Sequence, residues 1–305
     1  MTYQLPSGMY FLERGWLSSN TIFLDNGYET VLVDTGYVTH APFLLSYLSD
    51  HLNNRPLDIL VNTHLHSDHC GGNQAVQSHC PEVKTYIPYG PFEVISEWNT
   101  EKLSFDATGQ ICPRFIPTHR LFPGDECVWA GFEWEVHASP GHDHDALLFF
   151  NRQYRILISA DALWANGFGI VFPEIMAGTG FSEVSDTLNL IKDLDPAIVL
   201  PGHGPIITNV SLALDIAFAR LNHFVQSPVL HAAHAAKVLL KFKLLELQSV
   251  RLTDFEQWAL STPLLNDIHH MFFTSDPISS WLNKLLHELV LKKAVVVDKT
   301  HIHSV

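Results

Sequence analysis

The chain has 305 residues, of which 47% are hydrophobic and 16% are charged. This composition excludes a disordered or low-complexity protein, because it supplies enough apolar side chains for a folded core. The net charge of −14 argues against general nucleic-acid binding, since phosphate contacts need basic side chains. The length predicts one large domain and a smaller second one, because single cores seldom exceed about 250 residues.

The termini and the cysteines bear on cellular location. No short basic segment precedes an apolar run near the start, and no apolar stretch is long enough to span a bilayer. The cysteines show no C-x-x-C spacing and are too few for a disulfide scaffold; they are Cys70, Cys80, Cys112 and Cys127. We therefore expect a cytoplasmic protein with no membrane segment.

Strand and helix patterns alternate along the first two-thirds of the chain. Asn26 and Gly27 separate two apolar-rich segments, 20–25 and 29–34, which predicts an antiparallel hairpin. Helical spacing follows at 41–52. Further buried strands are predicted at 57–62, 133–137, 155–159 and 197–200, whereas 88–123 has weak periodicity and is expected to include surface loops. This alternation favours an α/β fold.

After His203 the pattern becomes mostly helical. Helices are predicted at 212–224, at 232–247, at a capping box formed by Thr253 and Glu256, and near 280–291 before a short strand at 295–297. Residues 231–305 carry 8 basic and 7 acidic side chains, whereas residues 1–230 carry 10 and 25. We expect a catalytic domain at 1–210 and a helical domain at 211–305.

The segment from Thr63 to His69 reads H-x-H-x-D-H and contains metal-binding side chains at His64, His66, Asp68 and His69. In an extended loop, His64 and His66 point the same way, because side chains alternate with a period of two. Such a mixture of imidazole and carboxylate suits Zn²⁺ among the common divalent ions, with Fe or Mn as alternatives.

Three more candidate ligands each follow an apolar strand: His142, Asp161 and His203. Strand ends converge on one rim of a sheet, and rigid strands position functional loops there. Glycines beside these residues allow the backbone to approach closely. We therefore expect the three side chains to meet the histidine loop.

In their order along the chain, these motifs resemble those of the metallo-β-lactamase superfamily. Asp34 in the run Val33-Asp34-Thr35-Gly36, the motif 64–69, His142, Asp161 and His203 resemble the five motifs of that family. The resemblance covers roughly the first two-thirds of the chain. It implies a four-layer αββα sandwich, followed here by a small, mostly helical C-terminal domain.

The resemblance also implies roles for the site residues. His64, His66 and His142 would hold a first Zn²⁺, Asp68, His69 and His203 a second, and Asp161 would bridge the two. A hydroxide between two such ions attacks an electrophilic carbonyl or phosphorus, which implies hydrolysis, with Asp68 orienting that hydroxide. Asp34 would orient the histidine loop from behind the ligands.

Asp161 stands where secreted two-zinc β-lactamases carry cysteine, so the chain resembles the glyoxalase II, lactonase and phosphodiesterase-like branches instead. This favours an ester, thioester or lactone of a small molecule as substrate. Two alternatives stay open, an RNA-processing endonuclease and an iron-dependent oxidoreductase. The complete H-x-H-x-D-H set argues against the second of these.

The tail and the residues around the ligands leave further alternatives. The tail resembles a small winged-helix domain, and its apolar helices equally permit a lid or a homodimer contact. His144, close to Asp145, would line the cleft or occupy an ordinary turn. Trp164 and Phe168, just after Asp161, would form an apolar substrate wall or pack in the core.

Overall fold

The computed structural model describes residues 4–100, 102–176 and 178–305. The chain divides into two compact units. The first contains the residues up to Asn99 and Cys112–Asn222, and the second contains Thr100–Ile111 and His223–Val305. The predicted division after residue 210 falls at the start of a helix, and the two units part further along that helix.

Six strands form the first sheet of the first unit, in sequential order: β1 (Met9–Leu12), β2 (Thr21–Asp25), β3 (Thr30–Val33), β4 (Ile59–Val61), β5 (Lys84–Pro88) and β6 (His119–Leu121). The first three strands pair antiparallel and the rest pair parallel. The predicted hairpin is present as β2 and β3, where Asp25 pairs with Thr30. Residues 26–29 form its turn, and the Asn26 side chain accepts hydrogen bonds from two turn amides.

Five strands form the second sheet: β7 (Glu126–Trp129), β8 (Phe132–Ala138), β9 (Leu147–Asn151), β10 (Ile156–Ala160) and β11 (Ile198–Pro201). Neighbouring strands in this sheet are also consecutive in the chain. Only β10 and β11 pair parallel in this sheet. Both sheets direct strand ends toward the predicted site residues, which follow β3, β4, β8, β10 and β11.

The side chains of β3 show why the two sheets stack. Val31 and Val33 pack in the core between the sheets with Trp134 and Phe149, whereas Leu32 packs on the opposite face. That outer face of the first sheet is covered by helix residues that include Leu44 and Leu48. This alternation follows the period of two in a strand whose two faces are both buried. The expected four-layer αββα sandwich is confirmed.

The helices of the first unit are α1 (Ala41–Leu52), α2 (Ser67–Cys70), α3 (Asn73–His79), α4 (Phe92–Glu97), α6 (Phe172–Ile175), α7 (Gly180–Leu194) and most of α8 (Val210–Gln226). A 3-10 turn at Val38–His40 precedes α1. The bounds of α1 are those predicted, and the segment 88–123 contains short helices as well as loops. No helix among the described residues has the length and apolar character needed to cross a membrane.

The second unit contains α5 (Ser104–Thr108), the end of α8, and the helices α9 (Pro228–Leu247), α10 (Leu252–Ser261), α11 (Pro263–Phe272) and α12 (Ile278–Leu291). Three short antiparallel strands accompany them in the order β12-β14-β13: β12 (Ser249–Arg251), β13 (Val295–Val297) and β14 (His301–Ser304). Leu265, Ile268 and Ile302 are fully buried in this unit. The tail is therefore mostly helical, as predicted, with a small sheet of which only β13 was predicted.

Candidate metal centre

The predicted ligands lie at the ends of strands from both sheets of the first unit. The histidine loop leaves β4 and enters the short helix α2, which begins at Ser67. His142 follows β8, Asp161 directly follows β10, and His203 follows β11. The close convergence expected from the sequence is therefore present.

Two groups of side chains are arranged to hold a metal ion, and each offers ligand atoms that lie within 4.8 Å of one another. The first group contains His64, His66 and His142. The second contains the four remaining candidates, Asp68, His69, Asp161 and His203. Together these are the seven residues that the sequence motifs singled out.

Asp161 faces both groups. Its Oδ1 atom lies 3.3 Å from Nε2 of His69 and 3.8 Å from Nε2 of His203. Its Oδ2 atom lies 3.4 Å from Nε2 of His142, which belongs to the first group. A carboxylate that presents one oxygen to each group has the geometry of a bridging ligand.

Asp34 holds the histidine loop from behind, in a backbone conformation with φ of 57° that disfavours most side chains. Its Oδ2 atom accepts hydrogen bonds from Nδ1 of His69, at 2.7 Å, and from Oγ1 of Thr63, at 2.8 Å. Its Oδ1 atom accepts the backbone N–H of Thr63 at 3.0 Å. Asp34 therefore keeps Nδ1 of His69 protonated and orients the ring so that Nε2 faces the site.

The same logic orients two ligands of the first group. Nδ1 of His64 lies 3.1 Å from Oγ1 of Thr63, and Nδ1 of His142 donates to the carbonyl oxygen of Ile170 at 2.5 Å. In each imidazole the Nε2 atom then carries the lone pair. Metal-binding histidines commonly use such a hydrogen bond on the far nitrogen.

Buried nitrogen atoms without hydrogen-bond partners test whether these residues suit a metal ion. Among the described residues, Nε2 of His64, Nε2 of His69 and Nδ1 of His203 are buried and accept or donate no hydrogen bond. Leaving such atoms unpaired is costly in a folded protein, and a bound cation explains the two Nε2 atoms. The donor set of five imidazoles and two carboxylates fits a first-row divalent metal.

The electrostatics keep the first group neutral. Burial lowers the pKa of His66 to about 4, and burial followed by the nearby His66 lowers that of His142 to about 4. Burial and the neighbouring His69 hold the pKa of His64 well below its ordinary value. Neutral imidazole is the form that binds a metal, so this group needs no proton loss at pH 7.

The second group carries charge. Burial alone would lower the pKa of His69, but the carboxylates of Asp161 and Asp34 outweigh it and raise the pKa well above its ordinary value. Burial would likewise raise the pKa of Asp161, yet His69 and His203 hold it well below the usual range. Burial would also raise the pKa of Asp68, but the hydrogen bond from His203 and the charges of His69 and His203 together outweigh burial and lower it. The two carboxylates are therefore ionised at neutral pH.

Two glycines make room for the ligands. A Cβ atom on Gly169 would lie 2.4 Å from Nδ1 of His142, and one on Gly202 would lie 2.2 Å from Oδ1 of Asp161. Real Cβ atoms essentially never approach so closely. Any larger residue at either position would displace a ligand.

The side chains predicted for the cleft lie in different environments. Nε1 of Trp164 donates to Oδ1 of Asp161 at 3.2 Å, so this indole lies directly against the ligands. Phe168 is fully buried, with the guanidinium of Arg220 over its ring, and it has no exposed face for a substrate. The His144 side chain is 77% exposed and lies 3.7 Å from Glu183.

Three neighbours of the ligands were not predicted. Trp16 stacks on the imidazole of His203 with ring centroids 5.4 Å apart, and 59% of its surface is exposed. Phe172 packs edge-on against His66, and Oδ2 of Asp143 lies 3.6 Å from Nε2 of His66. Trp16 lies far from the ligand motifs in the sequence and follows no spacing rule. Asp143 offered a signal, because it directly follows His142.

Comparison with known proteins identifies the family. The profile described as "Metallo-beta-lactamase superfamily" matches residues 14–203. A "Beta-lactamase-like protein 2 homolog" from Caenorhabditis elegans is 24% identical over 263 residues, which cover 82% of this chain and 76% of that protein. A "Hydroxyacylglutathione hydrolase" from Salmonella arizonae is 25% identical over 201 residues, which cover 66% of this chain and 65% of that enzyme.

A solved structure supports the fold along the whole chain. A metallo-beta-lactamase family protein from Thermus thermophilus has a TM-score of 0.57 at 18% identity, covering 99% of this chain and 100% of that chain. At such identity the likeness concerns the fold alone. The profile match, in contrast, contains every predicted ligand from His64 to His203. The chain belongs to the metallo-beta-lactamase superfamily.

Proposed function

We propose that the protein is a metal-dependent hydrolase that holds two zinc ions per chain and cleaves an ester, thioester or lactone of a small molecule. The observation that carries this proposal is Asp161, whose two oxygen atoms face two separate groups of ligands. The similarity of the chain to a hydroxyacylglutathione hydrolase favours a thioester among these three substrate classes.

The residues of the proposed site have different roles. His64, His66 and His142 would hold one ion, and Asp68, His69 and His203 the other, with Asp161 shared. When bound, metal ions in such sites lower the pKa of water and polarise a substrate oxygen. The chain supplies the orientation: Asp34 and Thr63 fix the imidazoles before any substrate arrives.

Asp68 is the residue we assign to catalysis. Its side chain keeps 16% of its surface exposed, while the other carboxylate of its group, Asp161, is nearly inaccessible at 5%. Oδ2 of Asp68 accepts a hydrogen bond from Nε2 of His203 at 3.1 Å, which holds the carboxylate in place. An ionised carboxylate at the mouth of the site would orient the attacking water by accepting one of its protons in a hydrogen bond.

The exposed rim favours a substrate with an apolar part. Trp16 and Trp164 contact each other edge to face, with centroids 5.3 Å apart, and both contact His203. The open face of Trp16 offers a large rigid surface on which an acyl or aromatic group can pack. We propose Trp16 and Trp164 as the apolar wall, which the sequence offered for Trp164 and Phe168 as one of two alternatives.

The test combines metal content with a substrate panel. Protein purified without added metal is analysed for zinc, iron and manganese and then assayed on acyl thioesters, lactones, phosphodiesters and RNA. We expect close to two zinc ions per chain and turnover of a thioester or a lactone. One ion or fewer after zinc titration would contradict the two-zinc site, and predominant iron would favour the oxidoreductase.

Matched variants connect the activity to the site. Asp161→Ala should abolish turnover and lower metal content, whereas His79→Ala, an exposed residue at the end of α3, should change neither. Circular dichroism of each variant separates lost chemistry from lost folding. Full activity in Asp161→Ala would remove the bridging role from the proposal.

One observation favours the RNA-processing endonuclease as a second candidate. Lys292, Lys293 and Lys299 are exposed at the end of α12 and in the turn between β13 and β14. From α9 onward, the second unit consists of a helix, a strand, three helices and a hairpin, and this order supports the winged helix that we propose for it. Cleavage of RNA without turnover of any ester or thioester would establish this candidate.

A cytoplasmic location and a homodimer contact through the tail stay proposals.

A further inference from the structure

Two cysteines lie in contact beside the metal centre, and neither belongs to a ligand group. The Sγ atoms of Cys70 and Cys112 are 3.7 Å apart, although the residues are 42 positions apart in the sequence. Both cysteines are reduced in the structure. Both also belong to the first unit, so their contact is internal to it.

The two thiols differ in accessibility and in backbone support. Cys70 is fully buried, ends α2 and directly follows the ligand His69. Its N–H donates to the carbonyl oxygen of His66 at 3.0 Å, and the next amide, of Gly71, donates to Ser67 at 2.9 Å. Cys112 is partly exposed and lies in a segment, 110–118, that contains neither helix nor strand.

We propose that Cys70 and Cys112 are a modification site, at which a low-molecular-weight disulfide such as glutathione disulfide produces a reversible protein disulfide. A disulfide needs the sulfur atoms to approach to about 2.0 Å. We expect the segment that carries Cys112 to make this movement, because the backbone hydrogen bonds around Cys70 hold the histidine loop in place.

The exchange proceeds in two balanced steps. The accessible Cys112 thiol attacks one sulfur of the small disulfide, which forms a mixed disulfide and releases one small thiol that takes the proton. The Cys70 thiol then attacks the Cys112 sulfur, forms the Cys70–Cys112 bond and releases the second small thiol. Two protein thiols are oxidised, one small disulfide is reduced, and two protons leave with the products.

The consequence is a covalent link between the histidine loop and the irregular segment. The bond closes a long loop, and closing a loop restricts the unfolded chain more than the folded one. The oxidised protein should therefore unfold at a higher temperature than the reduced protein. Such a transient bond is compatible with a reducing compartment, where protein disulfides are mostly regulatory.

The experiment uses the full chain with Cys80→Ser and Cys127→Ser, so that only the proposed pair is left. This protein is treated with glutathione disulfide, alkylated and digested, and the peptides are examined by mass spectrometry. We expect a cross-linked peptide joining Cys70 to Cys112, a loss of two hydrogen masses and complete reversal by a reducing agent. The natural chain should give the same cross-link.

The matched control adds Cys112→Ser to the same protein. In that control Cys70 should be unreactive toward glutathione disulfide while the protein is folded, and oxidation should not change the midpoint of thermal unfolding. With Cys112 present, oxidation should raise that midpoint after metal has been removed with a chelator. Stable glutathione adducts on Cys112 without the cross-link, or a lower midpoint after cross-linking, would overturn the proposal.

Discussion

At the residue scale, Asp34 holds the histidine loop through three hydrogen bonds. Its carboxylate accepts hydrogen bonds from His69 and Thr63 and thereby keeps Nδ1 of His69 protonated and the ring oriented. In Asp34→Asn, one carboxylate oxygen is replaced by an NH₂ group, which cannot accept a hydrogen bond. At least one of the hydrogen bonds from His69 and Thr63 would therefore be lost. We expect metal affinity or turnover to fall by about 10- to 100-fold, the usual cost of losing a hydrogen-bond partner of a ligand.

Zinc titration in the presence of a competing chelator measures this effect directly. Asp50→Asn, an exposed carboxylate on α1, is the matched control and should bind metal as the natural chain does. An Asp34→Asn protein with unchanged affinity and activity would show that the loop is oriented without this carboxylate. Circular dichroism confirms that the variant is folded.

A substitution at Gly169 tests how tightly the ligand His142 is packed. The Cβ atom of Gly169→Ala would meet the imidazole of His142, which also donates its Nδ1 proton to the neighbouring carbonyl of Ile170. We expect the ring to rotate away from the first group, so that metal content falls by roughly half while the second group keeps its ligands. Gly15→Ala has no atom within 4 Å of the new carbon and is the control. Metal content is measured after dialysis, and an unchanged value in Gly169→Ala would show that the ring can move without leaving the site.

At the scale of elements, the buried imidazoles of the first ligand group determine how the stability of the metal-free protein depends on pH. The pKa values of His66 and His142 are lowered to about 4 by burial, against an ordinary value of 6.5. Between these values the unfolded chain binds protons that the folded chain does not. The free energy of unfolding should therefore decrease as the pH falls from about 6.5 to 4, by on the order of 1 kcal/mol per pH unit for each imidazole.

Urea unfolding of chelator-treated protein at several pH values checks this slope. His66→Gln removes one of the titrating groups and should show a shallower slope in the same window. His69 interferes little below about pH 5.5, because its raised pKa keeps it protonated in the folded protein and its ordinary pKa of 6.5 keeps it protonated in the unfolded chain. A flat profile in the natural chain would mean that acid opens the site before these imidazoles are protonated.

The elements themselves differ in how well the sequence predicted them. Helix α1 was predicted with its exact bounds because apolar residues recur at helical spacing and bury Leu44 and Leu48 on one face. The prediction of a capping box at Thr253 and Glu256 was wrong. Helix α10 begins at Leu252, so Thr253 lies inside the helix, where its hydroxyl donates a hydrogen bond to Oδ1 of Asp254. Seven strands were missed: β1, β5, β6, β7, β9, β12 and β14. Most of them span only three or four residues and show little periodicity.

The site was predictable where it depends on motif order and not where it depends on tertiary packing. The ligands follow strand ends, and the fold brings those ends together. The position of Trp16 against His203 depends instead on a loop whose amides hold it, since Ser19 donates to Asp68 and Asn20 to Gly202. These are backbone contacts, which leave no residue pattern.

At the scale of the whole molecule, the second unit decides between the two candidate functions. Lys292, Lys293 and Lys299 are exposed in this unit, but residues 231–305 as a whole carry 8 basic and 7 acidic side chains. Three of its other lysines are already paired, Lys237 with Glu288, Lys243 with Glu246 and Lys284 with Asp276. We therefore expect at most weak RNA binding.

Salt dependence makes this prediction quantitative. On a single strand, the logarithm of the binding constant falls with the logarithm of salt concentration by about 0.7 for each phosphate neutralised. A site formed by the three lysines alone would give a slope of about −2. Binding of a short RNA is measured at several salt concentrations with the natural chain and with Lys292→Ala, Lys293→Ala and Lys299→Ala combined. Thioester hydrolysis by both proteins is the control and should be equal. Tight binding with a slope of about −2 that the triple substitution abolishes, together with no thioester turnover, would replace the small-molecule hydrolase by the nuclease, because only phosphate contacts release counterions in this way.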